Sequence, residues 1–543
     1  VSAPDEGPNL RLVTGRAAFT DDVALPGLLH ARVLRSPHAH ARIRGISRQA
    51  ALALRGVVAV LCHENLPKRP HSRAGPGAAE GPRDSEVLDD TVRYVGDRVA
   101  VVAAEDPELA DRACRALEVR YEVLPGVADL EEALRDGAPR VHEGTTAEPG
   151  NLAARFEVAV GDVGKGLSEA DRVFEGTYRL PRIQVAGLEP GVTLCFLDET
   201  GRLVVRTSNE SPFHLRHTLA GLLGIGVGQI RVVTPRMGGG FGSKQEIRDE
   251  DLAAILTLET GRPVRLVGGG GAERGAETIT VRSGVRGGLL TALEIRAVVG
   301  TGAYGSRAAS VRDGEGSHIL SLYACPNTRF EARAVYTNLP PAGAFRGRGW
   351  PQGTFALESH MDEVAEALGE DPLEFRRRNH TPNDAGDTLL QAGARAAGWP
   401  RRRGSRKKTR GLGIAMAASA SPGWKGDMAS ASIRMNEDGS FLLLVGGVDA
   451  QGDSEEALRS LAAESLGCER GSIVLLSGDT DLPPVDSGAH ASSTTEHLGA
   501  AVLEVTRRVR REILVRAGRL LGRDPGELAI REGRVVGGEG PGL

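Results

Sequence analysis

The sequence predicts an α+β protein built from several domains. Three observations carry that expectation: the length of 543 residues, a strand-and-helix pattern that restarts along the chain, and 72 glycines gathered in short runs at turns. A prior of roughly 100–200 residues per domain allows three or four domains and excludes a single small binding module. Hydrophobic residues at 40% and charged residues at 25% provide for a buried core and fit neither a disordered nor a membrane-embedded chain. The formal net charge of -4 lacks the basic surplus of a bulk nucleic-acid binder. The glycines follow no strict period, which excludes collagen, and they imply places where backbone must approach something closely.

The first expected domain spans residues 1–130. Leu28–Leu34 and Arg98–Ala103 have the length and β-branched content of buried strands. Asp106 and Pro107 read as cap and first residue of a helix whose Leu109, Ala113 and Leu117 recur every fourth position. Residues 64–88, rich in Pro, Gly and charge, read as a long surface loop. A second domain, residues 140–385, carries strand-like runs at Val192–Phe196, Leu203–Thr207, Ile230–Val233 and Val264–Val267, with helices at Ser211–Leu223 and Glu246–Glu259. Residues 400–410 form a basic linker without interleaved aromatics, more in keeping with a solvated connector than a nucleic-acid site. In the third domain, 410–543, the pattern resumes with strand Phe441–Val445, helix Ser454–Leu466, strand Ile473–Leu476 and helix Leu498–Leu521.

Cys62, Cys114, Cys195, Cys325 and Cys468 are scattered singly, without a Cys-x-x-Cys pair. That pattern, the lack of a signal-peptide signature after Val1 and the lack of a run of roughly 18 apolar residues lead us to expect a soluble cytoplasmic protein. His38 and His40 lie two apart on one face of an expected strand, with no third ligand nearby, and read as structural; we expect no metal held by protein ligands. No Gly-x-Ser-x-Gly elbow supports a hydrolase, and Ser405-x-x-Lys408 sits in the basic linker.

Three glycine turns stand out. MGGGFGSK, Met237 to Lys244, follows a strand and precedes a helix, so its backbone N–H groups are free to face an anionic or polar ligand. It is not a Walker A loop, since Gln245 stands where Ser or Thr would follow the lysine; a tight strand-to-helix turn accounts for a glycine triplet equally well. Ala344 to Gln352 places Arg346 between small residues ahead of a helix over Gly353–Leu368, where it suits a carboxylate, phosphate or carbonyl oxygen; a surface arginine is the plainer reading. Gly446 to Gly452 again joins a strand to a helix, and Gln451 has an amide able to bond either way. Each is weak alone; together they point to one large hydrogen-bonded cofactor held by loops from two domains.

Together these residues resemble the molybdenum-binding large subunit of the xanthine dehydrogenase, aldehyde oxidase and carbon monoxide dehydrogenase family. Val13–Ile43 and Tyr94–Pro125 look like its N-terminal α/β-hammerhead domain. GLEPGVTLCFLDETGRLVVRTSNESPF, RMGGGFGSK, the segment around AFRGRGWPQG and DPLEFRRRN look like its first molybdopterin-binding domain. GGVDAQGDSEEALRSLAAESLG, GDTDLPP and GAHASSTTEHLGAAV look like the start of the second, which is expected to be incomplete.

The resemblance implies a molybdenum–molybdopterin cofactor, in the cytosine dinucleotide form, whose pterin dithiolene holds the metal. By position, Gly239, Gly240, Phe241 and Gly242 would lie beside the metal, and Arg346 near cofactor and substrate. Gln451 and Gly452 would hold the pterin, and Ala489, His490, Ala491 and Ser492 match a second cofactor loop. Gln184 lies within one residue of a glutamine the family places against a molybdenum oxygen, and with Arg346 it is the implied catalytic pair. The implied reaction is hydroxylation of an aldehyde or N-heterocyclic carbon with water as oxygen source, electrons leaving through 2Fe–2S and FAD carriers expected on partner chains.

Departures qualify this. Gln245 replaces the substrate-binding glutamate of purine hydroxylases, so a purine is not supported. Ala450 replaces a glycine, Ser493 replaces an arginine, and Val267–Gly284 is shorter than the pattern. The family's catalytic glutamate lies in a Gly-Glu motif near its far C-terminus; Glu539, in GGEGPG, does not match it by position. The reading therefore expects a separate chain to supply that half. The alternative is a truncated inactive paralogue or a cofactor-binding assembly scaffold.

Overall fold

The computed structural model describes residues 8–75, 81–144, 148–234, 236–268, 272–312, 316–399, 409, 411–418, 427–449, 454–490 and 493–537. A seven-stranded mixed sheet runs Ile230–Val233, Leu203–Thr207, Val192–Leu197, Val264–Val267, Leu29–Arg35, Arg98–Ala104, Val57–Cys62. Its middle joins two distant parts of the chain, since Leu29 pairs in parallel with Val264. Strands expected in a self-contained first domain are thus hydrogen-bonded to strands of the second. Helices Pro212–Leu223 and Glu250–Thr260 bury Leu215, Leu219, Leu252 and Leu256 against this sheet. Between them, the Arg98 guanidinium donates to Asp251 at 2.8 Å, a pair with almost no solvent exposure.

The expected helix after Arg98–Ala104 is Pro107–Arg115, and the Asp106 side chain caps it by accepting from the Leu109 N–H at 2.8 Å. His38 and His40 sit in bends rather than on a strand, because Ser36 Oγ accepts from the His38 N–H and turns the chain; His40 Nδ1 lies 2.6 Å from the Pro125 carbonyl. The helix expected from Glu246 starts only at Glu250, whose carboxylate accepts from the Arg248 N–H and holds the preceding residues in a loop. Most of the basic linker lies outside the described residues.

A five-stranded sheet that the periodicity did not reveal is ordered Leu152–Val160, Thr328–Tyr336, Leu289–Gly302, Glu277–Arg286, Arg172–Leu180. Its central hairpin turns at Gly287 and Gly288, both with positive φ, as a two-residue hairpin requires. Helix Trp350–Leu368 buries Leu357, Met361 and Val364 into the core this sheet shares. The third region is a three-stranded sheet, Ala431–Met435, Phe441–Val445 and Ile473–Leu476, packed on helices Ser454–Leu466 and Thr494–Leu521. It docks on the edge strand Ile230–Val233: the Thr234 N–H donates to Gly478 O at 2.7 Å, the Thr480 N–H to Val232 O at 3.0 Å, and Arg231 pairs with Asp479. This docking brings the loop at 486–490 against the loop that follows Val233. Among the described residues no helix is long and apolar enough to cross a membrane.

Candidate functional site

The loop after Ile230–Val233 is held from beneath by two glutamates, Glu210, which is buried, and Glu189, which is half-buried. Glu210 accepts from the Gly242 N–H at 3.0 Å and the Lys244 N–H at 3.3 Å. Glu189 accepts from the Gly238 N–H at 2.7 Å and pairs with the Lys244 ammonium at 2.7 Å. Lys244 is 2% exposed, so its charge is spent inside the protein and is not presented to a ligand. Burial lowers its pKa, while Glu189 opposes that shift. Gly240 is required by close approach: a Cβ there would stand 2.0 Å from Glu210 Oε1.

At the crest, Phe241 takes a φ of +55°, a left-handed conformation that a bulky residue adopts only under constraint. The N–H groups of Gly239, Gly240 and Phe241 find no acceptor among the described residues. Three successive unpaired N–H groups make a patch of positive potential suited to an anionic or polar ligand.

The arginine loop closes on this crest. The Arg346 N–H donates to Phe241 O at 2.9 Å, and the Arg274 guanidinium donates to Arg346 O at 2.5 Å while lying over the Phe345 ring. The Arg346 side chain is exposed and pairs with no described group. Arg348, with φ +36°, reaches back to donate to Gln245 Oε1 at 3.0 Å. Gln245, buried, donates its other end to Ala489 O at 3.3 Å, and the Ala489 N–H donates to Glu210 O at 2.8 Å. One short chain of hydrogen bonds therefore links the glycine loop, the arginine loop and the loop from the third region.

The electrostatics follow from burial. Desolvation pushes Glu210 up to about 6, against the two N–H donors that favour its charged form. Glu246 rises to about 7 by desolvation, with Arg73, Arg348 and Arg248 pulling the other way. Asp486 is pushed to about 6 by burial. His490, 6% exposed, has its pKa lowered by burial; its Nε2 lies 3.5 Å from Asp427 Oδ1 without completing a hydrogen bond.

Of the residues singled out from the sequence, Gly239, Gly240, Phe241, Gly242, Arg346 and Ala489 come together directly, and His490 follows on the same loop. Gln184 is exposed; its amide donates to Glu273 at 3.4 Å, next to Arg274, which puts it one residue removed from the Arg346 backbone. Gln451, Gly452, Ala491 and Ser492 lie outside the described residues. Glu189, Glu210, Asp427 and Arg274 were not foreseen. A signal existed for the first two: a lysine in a glycine loop ahead of a buried helix needs a buried counter-charge, and Glu189 and Glu210 flank the strands beside it.

Among the described residues no three His, Cys, Asp or Glu side chains converge as a metal shell. What converges instead is a set of N–H donors, a free guanidinium and buried polar atoms without partners at Ser211 Oγ, Arg248 Nη1 and His490 Nε2. Such a donor set fits a polyanionic, hydrogen-bonding organic cofactor.

Comparison with known proteins agrees with that donor set. Models described as molybdopterin cofactor-binding domains match residues 142–380 and 390–541, and the a/b hammerhead domain of aldehyde oxidase and xanthine dehydrogenase matches 14–125. The putative xanthine dehydrogenase molybdenum-binding subunit XdhA of Escherichia coli is 31% identical over 96% of this chain and 74% of its own length. The chain belongs to the xanthine dehydrogenase and aldehyde oxidase family. Within that family, the probable hypoxanthine oxidase XdhD of Escherichia coli is 32% identical over 97% of this chain, which spans 62% of XdhD's length. The structure of quinoline 2-oxidoreductase from Pseudomonas putida 86 superposes with a TM-score of 0.88 at 27% identity, covering 97% of this chain and 72% of that one. The three models together cover residues 14–125, 142–380 and 390–541 of the chain.

Proposed function

We propose that this chain is the molybdenum-cofactor-binding subunit of an oxidoreductase that hydroxylates an aldehyde or N-heterocyclic carbon with water as the oxygen source. The observation that carries the reading is the Arg346 N–H to Phe241 O bond, which anchors the backbone of an arginine with an exposed guanidinium to a crest of three unpaired N–H groups in a chain of this family. When bound, the cofactor supplies the redox centre at which the C–H bond is oxidised. The protein's part is to bind and orient. The crest N–H groups of Gly239, Gly240 and Phe241 would face the cofactor's oxygen ligands, and the Phe241 ring would shield them from water. Ala489, His490, Ala491 and Ser492 would hold the pterin with Gln451 and Gly452, and Gln184 and Arg346 would act at the metal's oxygen and the substrate. We expect the cytosine dinucleotide form of the cofactor, and partner chains carrying the 2Fe–2S clusters and the FAD.

The test is molybdenum content of the chain purified with its co-expressed neighbours. About one equivalent per chain supports the reading, and less than about a tenth of an equivalent overturns it, since each working site needs its metal. Substituting Arg346 by Ala should then abolish turnover with the fold intact; an active variant would show its assigned role to be wrong.

A further inference from the structure

Arg348 is the residue whose surroundings the proposed chemistry leaves unexplained. It is half-buried, its backbone sits in the left-handed region at φ +36°, and its one side-chain hydrogen bond among the described residues is to a neutral amide, Gln245 Oε1. A guanidinium normally recruits a carboxylate when it loses solvent. The candidates nearby are all otherwise engaged. Glu189 is taken by Lys244, Glu210 by two backbone N–H groups, and Glu273 by Arg182. Glu246 is the remaining acid, and it is shared electrostatically among Arg73, Arg248 and Arg348.

Gln245 cannot substitute for a counter-charge. Both ends of its amide are occupied, one by Arg348 and one by Ala489 O, so it fixes the guanidinium in place without neutralising it. Across from Arg348 stands His490, more than nine-tenths buried, with an unpartnered Nε2. Arg346, two residues away, adds a second free guanidinium. Two guanidiniums, Arg346 and Arg348, thus stand at the mouth of the site with no carboxylate hydrogen-bonded to either among the described residues, and a buried amide holds the second in place.

We propose that Arg348, positioned by Gln245, is the anion-binding subsite of the substrate pocket and selects substrates that carry a carboxylate. The inference rests on the functional reading above. The same chemistry would also suit a phosphate of the cofactor, and the test separates the two. It uses the complex purified with its partner chains, and two probes of equal shape, pyridine-3-carboxylate and pyridine-3-carboxamide, titrated by calorimetry while molybdenum is counted in the same samples.

The wild-type complex should bind the carboxylate at least about tenfold more tightly than the amide, the margin of one charge-assisted hydrogen bond. Arg348→Gln should erase that preference and keep its molybdenum. Gln245→Glu should erase it too, because a carboxylate at that position pairs with Arg348 and consumes its charge; this variant leaves the arginine in place and guards against a folding artefact. A carboxylate that binds no better than the amide, or not at all, overturns the proposal, as does an Arg348→Gln complex that keeps the preference. Loss of molybdenum in Arg348→Gln alone assigns the residue to the cofactor and also overturns it. A wild-type complex without molybdenum refutes the functional reading instead, and the carboxylate preference remains measurable on that protein.

Discussion

Replacing Glu210 by Gln tests whether a buried carboxylate holds the glycine loop. Glu210 is 3% exposed and titrates near 6 instead of the ordinary 4.5. A carboxyl whose folded pKa is raised keeps its proton in the native state over a window in which the unfolded chain has released it. Stability therefore falls as pH rises from 4.5 through 6, and the full cost is in place above that window. A shift of this size corresponds to about 2 kcal/mol. Gln cannot ionise, so its contribution is flat. Its oxygen can accept one of the two loop N–H groups, but its NH2 cannot accept the other as either oxygen of the carboxyl can, which costs about 1–3 kcal/mol at every pH. The variant should be clearly less stable than wild type near about pH 4, and the gap should close by about 2 kcal/mol near about pH 8. Glu246 and Asp486, raised to about 7 and about 6, add to the slope of both proteins and cancel in the difference. Urea unfolding of both proteins across this range is the assay. A gap that stays constant with pH would refute the reasoning.

Gly240→Ala places a Cβ 2.0 Å from Glu210 Oε1, so the loop must move; the circular dichroism spectrum should persist while the molybdenum content of the purified complex drops. Lys244→Met leaves the Glu189 carboxylate, whose side chain is only 10% exposed, without its partner, and should destabilise the chain by about 3 kcal/mol in denaturant unfolding. Lys244→Met combined with Glu189→Gln should recover part of that loss, since the stranded charge is removed; equal losses in the single and double variants would show that the pair is not what matters.

Strands with unbroken β-branched runs were legible because they are buried on both faces. Arg98–Ala104 is buried throughout, and Leu203–Thr207 nearly so. The five-stranded sheet escaped because its strands alternate with charge: Glu277–Arg286 buries Ile279, Val281 and Ser283 and turns Arg282 outward, so no apolar run marks it. The pairing of Leu29 with Val264 was invisible for a different reason. Register between residues so far apart depends on topology, which local periodicity does not encode.

At the site the glycines were legible and the groups beneath them were not. A motif such as MGGGFGSK advertises where backbone is free to approach a ligand, yet what fixes that backbone is Glu189 and Glu210, contributed from other parts of the fold. The arrangement has a consequence for how charge is divided. Lys244, the cation inside the motif, is neutralised by Glu189 and buried, whereas Arg346 and Arg348, from a loop more than a hundred residues away, have no carboxylate hydrogen-bonded to them among the described residues. The lysine therefore serves the loop's shape and the arginines its chemistry. A related sequence that keeps the glycines and the lysine but lacks an acid at the position of Glu210 should fold its loop differently, because two of the N–H groups that now point inward would have to find water or ligand instead.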